Sequence, residues 1–148
     1  MESKTIGRPV RIRLHSSIQH PGQDKETHDL QATGRVIERA NTLYLQYAEE
    51  QNGSEIKTLV KMGKEEALIM RSGAVTMRLP FAIDGERPGD YGSGPASMKL
   101  LVKTNQLEFM EKSDRANGRF NVNYELHAEG SLLGTYEITI TYSEGTII

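Results

Sequence analysis

The sequence predicts an all-β protein, a single domain laid out as an antiparallel meander of eight to ten strands. Three observations carry that reading. Apolar and polar residues alternate with a period of two from near one end of the chain to the other. The alternating segments are joined by short polar connections, two of them marked by Asn-Gly at Asn52-Gly53 and Asn117-Gly118. No window keeps helical i, i+3, i+4 spacing over three turns.

The strands follow in order. Val10, Ile12, Leu14, Ser16 and Ile18 form one face of the first, with Arg11, Arg13, His15, Ser17 and Gln19 on the other. Past a polar turn, Leu30, Ala32, Gly34 and Val36 continue the apolar side in a second. Leu43, Leu45 and Tyr47 mark a third, closed by the Asn52-Gly53 hairpin, and Ile56, Thr58, Val60 and Met62 a fourth. Leu68 and Met70, then Val75, Met77, Leu79, Phe81 and Ile83, predict two strands joined through Arg71-Ser72-Gly73. Residues 84–97, rich in Gly and Pro, read as the one long irregular stretch, a crossover or barrel-mouth loop. Met98, Leu100 and Val102, then Leu107 and Phe109, resume the pattern. Phe120, Val122, Tyr124, Leu126 and Ala128 give the cleanest alternation, Glu129-Gly130 reverses the chain, and Tyr136, Ile138, Ile140 and Tyr142 end it. The domain spans 1–148, with the sheet at about 9–144 and flexible ends at 1–8 and 145–148.

A sheet of that many next-neighbour strands stacks as a sandwich or curls shut. The charges favour closure. Lys4, Arg8, Arg11 and Arg13 make the start basic, whereas from Phe120 onward there is no Lys or Arg and Glu125, Glu129, Glu137 and Glu144 remain. Paired strands of opposite sign gain about 0.2–1 kcal/mol per cross-strand pair. Two unrelated solvated faces are the alternative.

Composition bounds function mainly by exclusion. The chain has 148 residues, 36% apolar and 26% charged, with no Cys and no Trp. Disulfides, thiolate metal sites and Cys nucleophiles are excluded. A net charge of −2 gives no global attraction to nucleic acid or anionic lipid. No apolar run reaches the length of about 20 residues that a membrane helix needs, and the N-terminus lacks a signal-peptide h-region. The expectation is a cytoplasmic protein that engages neither nucleic acid nor membrane.

Catalytic signatures do not assemble. Residues 89–95 are Gly-rich but lack the Lys-Ser/Thr pair and helix start of a phosphate loop, and Ser93 lacks the nucleophile-elbow spacing. His15, His20, His28 and His127 fall at no ligand spacing, although strand pairing offers one route to bring His15 and His127 together. Glu49-Glu50 and Glu65-Glu66 read as solubilising turn charges. No metal, cofactor or acid–base dyad is predicted.

Two constellations remain. Ser16, Tyr47, Thr58, Tyr124, Tyr136 and Tyr142 are polar groups on the apolar face; a closed sheet places their hydroxyls in an aliphatic lumen, where they either meet an amphipathic ligand or bond to the backbone of a filled core. Arg11, Arg13 and His15 form an outward row suited to an acidic partner or a phosphate, or to protecting an edge. Arg71 and Arg78 are further candidates, Arg78 lying opposite the apolar side of its strand.

Several segments also resemble the YwiB-like family of small bacterial proteins. They are Tyr47-Ala48-Glu49-Glu50, Lys57-Thr58, the run Ile69–Phe81 with its Arg71-Ser72-Gly73-Ala74-Val75-Thr76-Met77-Arg78 core, Lys103–Glu108, and Asn117-Gly118 leading into Phe120–Leu126. The similarity runs over about Val10 to Ser143. It implies a calycin-like β-barrel similar to lipocalins and fatty-acid-binding proteins, and so a barrel rather than a sandwich. One departure is that Tyr91 is followed by Gly92-Ser93-Gly94-Pro95 rather than the family's Thr-Pro-Tyr-Gly-like segment. The family implies no catalytic residue. The expected function is non-enzymatic binding of a small amphipathic or apolar ligand in the lumen; the alternative is a packed barrel that displays an outer face to a protein partner.

Overall fold

A computed structural model of the chain describes residues 6–93, 95–112 and 116–144. Ten strands follow one another: β1 (Ile6–Gln19), β2 (Glu26–Arg39), β3 (Thr42–Gln51), β4 (Ser54–Met62), β5 (Glu66–Gly73), β6 (Val75–Ala82), β7 (Arg87–Ser93), β8 (Ala96–Glu111), β9 (Gly118–Ala128) and β10 (Ser131–Glu144). Each pairs antiparallel with its sequence neighbours, and β1 pairs with β10, so the meander closes into a barrel. The first strand starts at Ile6 rather than near residue 9; the expected flexible residues 1–5 and 145–148 lie outside the described residues.

Local chemistry sets the reversals. Asn52 and Gly53 (φ 54° and 80°), and Glu129 and Gly130 (52° and 81°), take the left-handed conformations that a two-residue hairpin matching strand twist requires. Gly118 is different. Its φ is not left-handed, and a Cβ there meets the Tyr142 hydroxyl at 2.5 Å, so the residue is small to admit that ring.

Alternation then sends one face of every strand inward. Leu45, Val60, Leu79, Phe81, Phe120, Val122 and Ile140 are essentially sealed from solvent. Closure is made by these apolar rows, Ile12 opposite Tyr142 and Leu14 opposite Ile140. Among the described residues the charge complementarity expected at this seam is realised only where Arg8 meets Glu144 at 3.3 Å; Arg11 and Arg13 stand opposite Ser143 and Thr141, which carry no charge, and Lys4 lies outside the described residues. Burial of the inner rows is the larger effect, at about 1.5–3 kcal/mol per large apolar side chain against a few tenths for an exposed pair.

Three strand readings are corrected. The stretch 84–97 is mostly β7 and the start of β8. Its signal is hidden because inward positions fall on Gly89, where a Cβ meets the Arg78 carbonyl oxygen at 2.7 Å. On β5 the inward residues are Ala67 and Ile69, while Met70 is exposed; the uninterrupted apolar run 67–70 has no alternation from which to choose a face. Arg71 and Ser72 belong to β5 rather than to a turn, and Ile83 is an exposed turn residue.

Two ladders stop short. The β6–β7 pairing covers only Val75–Arg78 with Asp90–Ser93, and Pro80 and Pro88, which lack N–H donors, lie beyond it. The β2–β3 pairing covers only Gly34–Arg39 with Thr42–Tyr47. Toward the β1–β2 turn, β2 follows β1 alone and parts from β3, leaving that end of the barrel open.

Candidate ligand site in the barrel lumen

The open end has an inner wall of mixed character. Leu14, Ser16, Ile18, Leu30, Ala32, Val75, Met77, Tyr136 and Ile138 point inward yet remain half-buried. On β6–β8, Met77, Tyr91 and Met98 are cross-strand neighbours on the inward face, and Tyr91 and Met98 keep 38% and 43% of their surface exposed. An apolar rim results.

Beside this rim, with Arg71 the cross-strand partner of Met77, lies an ion pair that alternation places inside. Leu43, Leu45, Tyr47 and Glu49 share one face of β3, and Ala67, Ile69 and Arg71 share one face of β5. Arg71 Nη2 donates to Glu49 Oε1 at 2.6 Å, both side chains about three-quarters shielded. Glu49 is therefore an inner-wall residue rather than a solubilising turn charge. Its signal was available, since both charged residues continue the inward parity of their strands.

The predicted luminal residues group around this pair. Tyr47 and Thr58 are cross-strand partners, and Thr58 is also the partner of Arg71. Tyr124 and Tyr136 are partners on β9 and β10, their rings stacked at 5.1 Å; Phe81 tilts against Tyr124 at 4.8 Å, and His20 meets Tyr136 edge-on at 6.4 Å. The His20 Nδ1 lies 3.1 Å from the Leu133 carbonyl oxygen. Ser16 pairs with Ile138 on the neighbouring part of the β1–β10 wall. Tyr142 does not join them: it is buried over Gly118 at the opposite end.

Burial pushes the Tyr124 phenol far above the ordinary tyrosine value, with Tyr136 adding to the shift and the Arg71 charge opposing it. Burial likewise raises Tyr47, opposed by the nearby Thr58 hydroxyl and more weakly by Arg71, while Glu49 adds to the shift. Tyr136 is raised by burial alone. At neutral pH the phenols are uncharged donors around a neutralised ion pair.

On the outer wall, Arg11, Arg13 and His15 are exposed as expected. His15 bonds Asp29 at 2.8 Å, but no described carboxylate lies within ion-pair distance of Arg11 or Arg13. A cleft of about 460 Å³ runs beside them, with Gln31, Thr141 and Ser143 among its lining. His127 does not approach His15. It pairs with Glu125 at 3.0 Å, and Asn105 first, then His127, hold that carboxyl below its ordinary value. Among the described residues no group of three or more His, Asp or Glu converges as a metal site.

The family model described as a domain of unknown function (DUF1934) matches residues 12–140. The uncharacterized β-barrel protein YwiB of Bacillus subtilis (strain 168) is 30% identical over 138 residues, covering 93% of this chain and 95% of that protein. The crystal structure of the ywiB protein from Bacillus subtilis, 28% identical, matches with a TM-score of 0.83 over 95% of this chain and 94% of that one.

Proposed function

The chain belongs to the DUF1934 family of YwiB-like β-barrel proteins, and from that premise we propose that it is a non-enzymatic binding protein for a small amphipathic molecule, taken up through the open end of the barrel. The observation that carries this reading is the Glu49–Arg71 pair on the inner wall, with Tyr47 and Thr58 on the same face and an apolar rim beside it. A packed core alone has no use for charge on its inward face, because a shielded ion pair is seldom more stabilising than apolar side chains of similar volume. A ligand with a polar head and an apolar tail uses both the pair and the rim.

The outer wall supports a barrel that works in water. Arg11, Arg13, Arg35, Lys57, Lys61 and Lys99 are exposed on it, whereas a membrane barrel turns its apolar band outward. No described helix is long and apolar enough to cross a membrane. With a chain free of cysteine, the reading includes a cytoplasmic location.

The test uses Nile red, an uncharged solvent-sensitive dye. Saturable binding is expected, weakened about tenfold or more by Ser16→Trp or Met77→Trp, which fill the open end, and unchanged by Arg11→Glu with Arg13→Glu. Absence of saturable binding, or indifference to both tryptophans in variants with native circular dichroism, overturns the proposal. A second reading rests on Arg11 and Arg13, which meet no carboxylate among the described residues and stand beside their cleft, where they fit an acidic face of a protein partner. It requires the paired Arg→Glu variant to lose partners that the native chain retains.

A further inference from the structure

The inner wall at the open end holds both signs of charge in contact, and this limits the ligands it accepts. The bond from Arg71 to Glu49 uses one N–H of a guanidinium that has five and one oxygen of a carboxylate that accepts at both. Among the described residues neither side chain has another hydrogen bond. Beside them on the same face lies Thr58, 2% exposed, whose hydroxyl faces the Tyr47 phenol of the neighbouring strand. A hydroxyl has one donor and two acceptor sites, so one that meets a single phenol keeps capacity for a further polar group.

Consider what can seat there. A carboxylate head meets a guanidinium that is already neutralised. To bind Arg71 in full it has to displace Glu49, which is then left three-quarters shielded without its cation. A purely apolar molecule leaves the free donors, acceptors and the Thr58 hydroxyl unmatched. An uncharged head that both donates and accepts can donate to Glu49, accept from Arg71 and engage Thr58 with the ion pair intact. The remaining charges of this rim do not change the balance: Glu26 and His28 face each other at 3.7 Å on the splayed part of β2, both more than half exposed and screened by solvent. The apolar tail then lies outward along Met77, Tyr91 and Met98.

We propose that the lumen selects an uncharged amphiphile whose head group carries both a hydrogen-bond donor and an acceptor, over the fatty acid of the same tail, and that Glu49 sets this selection. The inference rests on the luminal reading above and specifies its ligand class.

Displacement of Nile red by monododecanoyl glycerol and by dodecanoate, each below its micelle concentration near neutral pH, tests it. The native chain is expected to release the dye to the glyceride at a concentration about tenfold lower than to the fatty acid. Glu49→Gln, which frees the Arg71 charge, reverses that order. Thr58→Val weakens the glyceride and leaves dodecanoate unchanged, and it serves in place of Glu49→Gln if that variant does not fold. Dodecanoate displacing as well as or better than the glyceride from the native chain overturns the inference while leaving the luminal reading intact. So does an unchanged order in folded Glu49→Gln, or in the substitute case equal effects of Thr58→Val on both probes. A native chain that binds no dye overturns both together.

Discussion

The two ends of the barrel are built from the same ten strands and differ in almost every physical respect. At the end bearing the β2–β3 and β4–β5 turns, Leu45, Val60, Phe81, Phe120 and Ile140 fill the interior, and Tyr142 lies over Gly118. At the other, β2 leaves β3 after Gly34, and inward residues such as Ser16, Ile18 and Ile138 stay half-buried around a charged pair and stacked phenols. Stability is concentrated where the ladders are continuous. Chemistry is concentrated where one ladder ends. Closure by hydrogen bonding therefore does not oblige a barrel to be filled along its whole length.

That contrast can be broken most forcefully in the interior. Phe120→Ala, at a side chain with no exposure, is expected to cost about 3–5 kcal/mol, and Ile138→Ala, on the half-buried wall, clearly less. Urea denaturation of both variants measures the difference, and equal losses would mean the two ends are packed alike. Next in size is the parting point of β2. A Cβ at Gly34 meets the Gln46 carbonyl oxygen at 2.2 Å and the Ile12 Cδ1 at 2.7 Å, so Gly34→Val should destabilise by about 1–3 kcal/mol and speed amide exchange across the β2–β3 ladder. Unaltered exchange in that ladder would detach the opening from this close approach.

The smallest effect vanishes at neutral pH. The folded-state pKa of Tyr124 is raised by burial, so above the ordinary tyrosine value of about 10 the unfolded chain loses a proton that the native chain keeps. The native state binds more protons there, and stability falls as pH rises from that value through the shifted one. Tyr124→Phe should flatten this alkaline slope in urea melts and leave the slope near pH 7 unchanged. An alkaline limb of undiminished steepness would show that the phenol is not sealed between Phe81 and Tyr136.

Legibility in the sequence followed alternation. The inward faces of β1, β9 and β10 were readable, because apolar and polar positions exchange at every step, although the strands run beyond the residues read, β1 from Ile6 and β10 from Ser131. β7 was not, because its inward positions include Gly89 and its course includes Pro88, residues that carry no hydrophobic period. β5 was read on the wrong face because Ala67, Leu68, Ile69 and Met70 are all apolar. In the site, the phenols and Thr58 were found as polar residues at apolar positions. Glu49 was read as a solubilising turn charge, and Arg71, though named as a candidate, was placed in a turn, because charge next to a turn ordinarily means solvent; yet Tyr47-Ala48-Glu49 and Ile69-Met70-Arg71 keep the inward parity.

By itself the sequence determined most of the strands, β7 excepted, and the reversals at Asn52-Gly53 and Glu129-Gly130. Period-two patterning and the left-handed turns at Asn52-Gly53 and Glu129-Gly130 are decided by sterics within a few residues. Only the tertiary structure decided that β1 meets β10, that β2 and β3 part at Gly34, and that Arg71 reaches Glu49, 22 residues away in sequence, across β4. Those outcomes depend on which inner rows bury together when the sheet curls. That is a property of all ten strands at once, and no local stretch of chain contains it.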